Sequence, residues 1–574
     1  MDKWMTNVSY DDMELGDDME FSSDSDLSEM FGEAGYKGRI PNECNKKRRL
    51  LSSSSESDSE NIEELPDIDP RQFLWSTQNL AAKVFDFDEN LLGIKANIDD
   101  KSSILEIFQL FISENMVEHI VRESNAYYTT KTISSKHSRL LAWKNTTVTE
   151  MYRFFALSML MSRVKKVSIE EYWSTDELLR TESFPRIMTK DRYKSLLQML
   201  HFHDNNETTN QDVLIKIRSI IDKLRNSFSR AFYPYKYLCI DESLLLFKGR
   251  CFFKQYIPSK RSRSGIKSFV ICDCHTGYIQ DFIVYCGART DITNNNLAEI
   301  GKSGNIVMTL MEPYLNKGHV LVTDNWYSSP ALFSLLHHNR THAFGTVKKN
   351  RRGMPNISNK LCKGEVAFKS TDKLLALKWM DKREVLMLSS YHSAEFIETK
   401  RNDVKTGRPI LKPTVVVDYN RVMGAVDKTD MILNSINTIR KTLKWYKKLF
   451  FHMVDLSIYN TFILYKITSK KNITFAKFHL RLIREILLKY SNTNICNNKS
   501  GGQTASKDDM LRLISTHFPS KYINPTGKRR NGRRKCVVCR KHKKRTETQF
   551  ECKECEVGLC IEPCFKLYHT KEHY

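Results

Sequence analysis

The chain has 574 residues, 41% of them hydrophobic, and a formal net charge of +23. At roughly 100–200 residues per domain this length implies about three to five domains. No apolar run reaches the roughly 18 residues needed to span a bilayer as a helix. The charge is uneven: residues 1–70 carry 19 acids and 7 bases, a net −12, which leaves +35 on the remainder. A body that basic points to a polyanionic partner, nucleic acid first, because lysines and arginines neutralise phosphates and release counterions.

The N-terminus, MDKWMTNVSYDDMELGDD, lacks an apolar secretory core, so an intracellular location with reduced thiols is expected. The runs SSDSDLSE and LSSSSESDSE are too polar to build a core, and residues 1–92 are predicted to be a disordered acidic, serine-rich tail. Within it Lys46, Lys47, Arg48 and Arg49 form a basic cluster, either a solvated run or a nuclear import signal.

Residues 93–235 read as helical. ILEIFQLFISENMVEHIVRESNAYY has apolar positions at helical spacing, and Thr147 to Glu150 fits a capping box that opens MYRFFALSMLMSRV. At 236 the texture changes to short β-branched and aromatic runs, YLCIDESLLLFKG, IKSFVICD, YIQDFIVYC and GHVLVTDN, followed by the helix PALFSLLHHN. That alternation predicts a mixed α/β domain over 236–350 and 414–437, interrupted by a basic, turn-rich insertion at 351–413. Helix resumes at 438–510, a linker is expected at 511–530, and a cysteine-rich end at 531–574.

Three acids stand at informative places. Asp241 follows YLCI and Asp324 follows HVLVT, so each ends a buried strand, and Asp427 opens a helix on which Asp430 shares its face. Taken singly, an aspartate at a strand end is usually a turn or cap residue. Phosphodiester cleavage, however, must activate a nucleophile and stabilise a leaving oxygen, which two Mg²⁺ (or Mn²⁺) ions held by carboxylates can do.

The blocks YLCIDESLLLFKGR, QYIPSKRSRSGIK, LVTDNWYSSPAL, VVVDYNRVMGAVDKTDM, RKTLKWYKKLFFHM and CFKLYHTKEHY resemble, in order, the signature blocks of piggyBac-type transposases and of host proteins derived from such elements. The resemblance covers roughly residues 95–574. It implies catalytic, Mg²⁺-binding aspartates at Asp241, Asp324 and Asp427, with Asp430 as a further functional acid. It implies an α/β fold: a ribonuclease-H-like catalytic core with an inserted β-rich domain, a split all-α dimerisation and DNA-binding domain, and a C-terminal cross-brace zinc domain. The activity implied is cut-and-paste transposition through hairpin ends at TTAA targets, by a homodimer on double-stranded DNA in the nucleus. A domesticated DNA-binding protein of the same ancestry is the alternative. A zinc-domain scaffold or ubiquitin-ligase-like protein fits the cysteine spacing but leaves the acids unexplained.

Six of the 14 cysteines lie after residue 535. Cys536, Cys539, Cys552, Cys555, Cys560 and Cys564 include two C-x2-C pairs, which suit tetrahedral zinc. With His569 they give seven ligands for two Zn²⁺ ions, and His542, or next His573, is the expected eighth. For DNA, Arg440, Lys441, Lys444, Trp445, Lys447 and Lys448 surround one helix, either contacting phosphates and a base or placing Trp445 in the core. Arg250, Lys254, Lys260 and Lys267 follow the first acid and could line the same channel. Lys528 to Lys535 could hold phosphate, act in import, or both.

Overall fold

The computed structural model describes residues 73–571 except 131–141, 206–211, 258–263, 293–299, 359, 403–406, 408, 437, 439–441, 443, 492–516 and 523–531. The basic cluster at 46–49 and the serine runs lie outside the described residues, as do Lys260, Arg440, Lys441, His573 and Lys528 to Arg530.

A short antiparallel pair, β1 (Gly93–Ile94) with β2 (Phe232–Tyr233), closes the first helical segment at its two ends. Between them run α1 (Ile104–Gln109), α2 (Glu114–Thr129), α3 (Val148–Arg163), α4 (Ser183–Ile187), α5 (Lys190–Met199) and α6 (Arg218–Ala231). The predicted cap at Thr147 is present, its side chain accepting from the Glu150 amide. The Glu150 carboxylate does not close the box. It binds Arg192 through two contacts of 2.7 and 2.6 Å, tying α3 to α5. α3 is buried from Met151 through Ser162, because the C-terminal helices α11 (Trp445–Ser469) and α12 (Phe475–Lys489) cover it. Phe154 meets Phe451, Phe155 meets Phe450, and Tyr152 stacks on Tyr490 with ring centroids 4.2 Å apart. Helices some 300 residues apart in sequence thus share one apolar cluster.

The centre is a nine-stranded mixed sheet. Its strands are β3 (Tyr237–Leu246), β4 (Gln255–Tyr256), β5 (Ser264–Asp273), β6 (Ile279–Val284), β7 (Val320–Thr323), β8 (His342–Thr346), β9 (Val366–Ser370), β10 (Leu375–Met380) and β11 (Glu384–Ser389). The order is β4-β5-β3-β7-β8-β11-β10-β9, with β6 paired to β5. β3, β7 and β8 run parallel; every other pairing is antiparallel. Parallel neighbours need crossovers. α7 (Gly301–Met311) lies between β6 and β7, and α8 (Pro330–His338) joins β7 to β8. Alternation divides the sheet between two cores: Val270 and Cys272 join the cluster of the long helices, whereas Phe269 and Ile271 join the cluster of α7 and α8.

Two boundaries expected from sequence need correction. The segment 351–413 is not wholly an insertion: β9, β10 and β11 extend the central sheet from β8, and only the hairpin β12 (Phe396–Asn402) with β13 (Pro409–Pro413) stands apart as its own two-stranded sheet. Strand edges demand pairing wherever they find it, which composition does not reveal. The tail, expected to be disordered through residue 92, is ordered from 73. Trp75 Nε1 donates to the Gly353 carbonyl at 2.9 Å, Ser76 exchanges backbone bonds with Ser370, and Phe85 is buried against His342. A few aromatic residues at its end supply the apolar contact that the polar composition hides.

Candidate metal and DNA site

Asp241 lies mid-way along β3, whose neighbour β7 ends at Thr323 opposite Ile240. Asp324 is the next residue of the chain, so parallel pairing alone sets the two acids side by side. Carboxylate oxygens of Asp241, Glu242 and Asp324 lie within 4.8 Å of one another, a spacing able to hold a metal ion. Asp324 Oδ1 accepts from the Trp326 amide at 2.8 Å. Burial, then the neighbouring charge of Glu242, holds its carboxyl above the usual carboxylate range. Clustered oxygen-only donors fit a hard divalent cation.

After β13 come α9 (Thr414–Val422) and α10 (Ala425–Ser435), and α10 packs on β3 and β5. It carries Asp427 in its first turn. Asp427 stands outside the three-carboxylate group. Asp430 reaches the strand directly, accepting from the Ser243 hydroxyl at 2.6 Å. Glu242 and Ser243 were not anticipated from sequence. The signal available was Glu242's place directly after Asp241, which strand alternation argues against, because consecutive side chains leave opposite faces.

The expected DNA contacts divide. Arg250 and Lys444 are exposed, and Lys254 is half-buried with Nζ 3.4 Å from the Gly249 carbonyl. Lys267 does not line an open channel: it is buried and ion-paired with Glu242 at 2.9 Å. Lys447 and Lys448 are buried too. Lys447 donates to the carbonyls of Leu197 and Gln198, both at 2.8 Å. Burial depresses the Lys448 ammonium, while Asp455 beside it opposes that fall. Trp445 packs edge-to-face on Phe253, 5.2 Å away, at the margin of the core. Lys447 and Lys448 do not present a free cationic face because α11 is buried at every position from Tyr446 to Tyr465 except His452, so lysines that periodicity places on a wet face are enclosed by other elements.

The cysteine-rich end forms two four-residue groups. Cys536, Cys539, Cys560 and Cys564 make one; His517, Cys552, Cys555 and His569 make the other. Cys539 Sγ lies 3.9 Å from Cys560 Sγ and 3.5 Å from Cys564 Sγ, close to the roughly 3.8 Å expected for thiolates on one tetrahedral zinc with Zn–S of about 2.3 Å. The donors alternate between groups along the chain, a crossed arrangement. The residue that completes the second group is His517, not His542. His517 Nδ1 is 3.1 Å from Cys552 Sγ and 3.4 Å from Cys555 Sγ, whereas His542 caps the helix Val537–Lys541 outside both groups. His517 sits 19 residues before Cys536, in the stretch read as linker. It is delivered because Pro519–Lys521 pairs as a strand with Phe550–Cys552. His569 Nδ1 lies 2.8 Å from the Phe565 carbonyl, the outer partner a histidine ligand usually has.

Comparison with known proteins agrees with this layout. A family model described as Transposase IS4 matches residues 104–462, and one described as a DDE_Tnp_1-like zinc finger matches 521–570. Among human proteins, PiggyBac transposable element-derived protein 3 is 25% identical over 487 residues, covering 81% of this chain and 76% of the relative. PiggyBac transposable element-derived protein 2 is 22% identical over 377 residues, 63% of this chain and 61% of the relative. The cryo-EM structure of a piggyBac transposase synaptic complex with hairpin DNA superposes with a TM-score of 0.62 at 24% identity, covering 82% of this chain and 98% of that one. The fold is that of piggyBac transposase and the terminal region is a zinc-finger domain; with the transposase model spanning more than half its length, the chain belongs to the piggyBac-type transposase family.

Proposed function

We propose that this chain is a cut-and-paste DNA transposase that cleaves DNA with divalent metal held by Asp241, Asp324 and Asp427, with Asp430 auxiliary. The observation that carries the reading is the meeting of Asp241 and Asp324 from adjacent parallel strands within metal-ligand spacing, with α10 docked on the same strand. Acids on a central strand, on its parallel neighbour and on a later helix are what a ribonuclease-H-like nuclease core requires. α1 to α6 with α11 and α12 then form one helical body, interrupted by that core, for DNA binding and dimerisation.

Bound Mg²⁺ would supply activation of the attacking oxygen and stabilisation of the leaving oxygen. The protein's own part is positioning. The Trp326 amide orients Asp324, and the Ser243–Asp430 bond sets α10 against β3. Exposed Arg250 and Lys444, with Lys254, contact phosphates on the approach to the acids. First-strand nicking frees a 3′-OH that attacks the opposite strand, giving a hairpin end, and the opened end joins a TTAA target. The solved relative's hairpin complex supports that step. The two four-residue groups of the terminal domain would each hold one Zn²⁺ ion and so fold a domain that helps bind transposon ends, and the basic runs direct the protein to the nucleus.

The element-derived names of the human relatives favour a second reading, a domesticated DNA-binding protein without catalysis. Purified protein with candidate terminal repeats and Mg²⁺ separates the two. Nicking by wild type that is absent from Asp324→Ala is expected for the transposase. Binding of the repeats with no cleavage selects the second reading, and normal excision in cells by Asp241→Ala overturns the assigned mechanism.

A further inference from the structure

The central strand presents acids to both faces of the sheet. Asp241 and Glu242 are consecutive on β3, so their Cβ atoms leave opposite faces. Asp241 shares its face with Ser243 and hence with Asp430 on α10. Glu242 lies opposite Phe269 of β5, on the face packed by α7 and α8. The β3–β7 ladder ends at Ile240 and Thr323. Beyond that point β7 no longer walls the two side chains apart, and both reach Asp324.

One buried cation serves this group. Lys267 Nζ lies 2.9 Å from Glu242 Oε1, with the two side chains only 10% and 16% exposed. The ammonium sits 4.9 Å from the Phe269 ring centroid and 4.8 Å from that of Trp326, and these two rings stack 5.5 Å apart at 12°. The amide of the same Trp326 donates to Asp324. Lys267 therefore touches both supports of the acid pair: the carboxylate next to Asp241 in sequence, and the indole whose backbone orients Asp324. An ammonium removed from water is costly unless paired and ring-faced. Here its pairing partner is also a member of the three-carboxylate group.

We propose that Glu242 is an additional ligand of the divalent-metal site and that Lys267 is its positioning residue. Lys267 acts as an internal cation that holds Glu242 beside Asp324 when no divalent ion is present and yields it when one binds. This rests on the reading of Asp241 and Asp324 as metal ligands. Hard divalent cations take oxygen donors and compete directly with an ammonium for a carboxylate. The site would then draw ligands from both faces of the sheet, Asp427 from one and Glu242 from the other.

The test is Mn²⁺ binding to the full chain without DNA, followed by paramagnetic resonance of the free ion. Glu242→Gln should weaken binding by about tenfold or more. Lys267→Met should tighten it, since the competitor is gone, lower the melting temperature of the metal-free protein, and enlarge the rise that Mn²⁺ produces. Lys267→Arg should restore wild-type behaviour in all three. The double variant Glu242→Gln/Lys267→Met leaves no unpaired buried charge and should bind as weakly as Glu242→Gln. Asp324→Asn is the control and should bind weakly or not at all. Wild-type affinity in Glu242→Gln or the double variant, with loss in Asp324→Asn, overturns the ligand role and leaves the metal site standing. Unchanged affinity in all three overturns the metal site as well. An unaltered affinity and Mn²⁺ response in Lys267→Met overturns the positioning role.

Discussion

The Ser243 hydroxyl donates to Asp430 Oδ1 across 2.6 Å, joining the strand that bears Asp241 to the helix that bears Asp427. The bond ties two residues 187 positions apart in the chain, each within three residues of one of those acids.

Ser243→Ala should therefore slow strand cleavage more than it lowers stability. Loss of one hydrogen bond costs about 1 kcal/mol of stability, whereas loosening an outer support of a metal site costs about 10–100-fold in activity. Nicking rates with Mg²⁺ beside thermal melts of the same preparations check this. A cleavage rate equal to wild type would show that α10 is placed without the bond.

Metal analysis should find about two zinc ions per chain. His517→Ala should lose one of them and His542→Ala neither, because only His517 stands with Cys552, Cys555 and His569. Equal zinc content in the two variants would contradict the ligand set. Chelation should unfold the terminal region, since a segment this short has little core of its own.

Asn460 of α11 bonds both backbone groups of Ile279, accepting from its N–H at 3.0 Å and donating to its carbonyl at 2.9 Å. This occurs where the β5–β6 ladder slips register. Asn460→Ala should leave two buried backbone groups unpaired, at about 2–4 kcal/mol, read as an earlier denaturation midpoint. A midpoint within error of wild type would mean that water replaces the amide.

His479 is buried in α12, and burial depresses its imidazole to about 3. The unfolded chain binds a proton near its ordinary value of about 6.5 that the folded chain refuses, so stability rises with pH between these values and falls on acidification. From pH 7 to pH 5 this residue alone should remove roughly 2 kcal/mol. His479→Phe, beside Phe475 and Phe478, should flatten the pH dependence of melting over that range. An unchanged slope would place the acid sensitivity in the other depressed histidines, such as His201, His319 and His342, each near 4.

The six terminal cysteines could be named from sequence because their signal is local, paired thiols at zinc spacing, whereas Asp241, Asp324 and Asp427, each by itself an ordinary strand-end or helix-start acid, stood out only through the resemblance of the blocks around them to piggyBac-type transposases. The same local texture gave the mixed α/β centre between two helical regions. What the sequence could not give was adjacency. Glu242 sits one residue from Asp241, and alternation alone would have sent it to a separate core. It joins Asp324 only because β7 ends where it does. Lys267 and Lys447 look like solvent-facing cations until other elements enclose them. His517 is an isolated histidine until Pro519–Lys521 pairs with Phe550–Cys552 and carries it to the second group. Composition and periodicity fix what one segment presents to its surroundings; which segments become those surroundings is settled by long-range strand pairing and burial, and there the chain's acids, cations and metal donors acquire their partners.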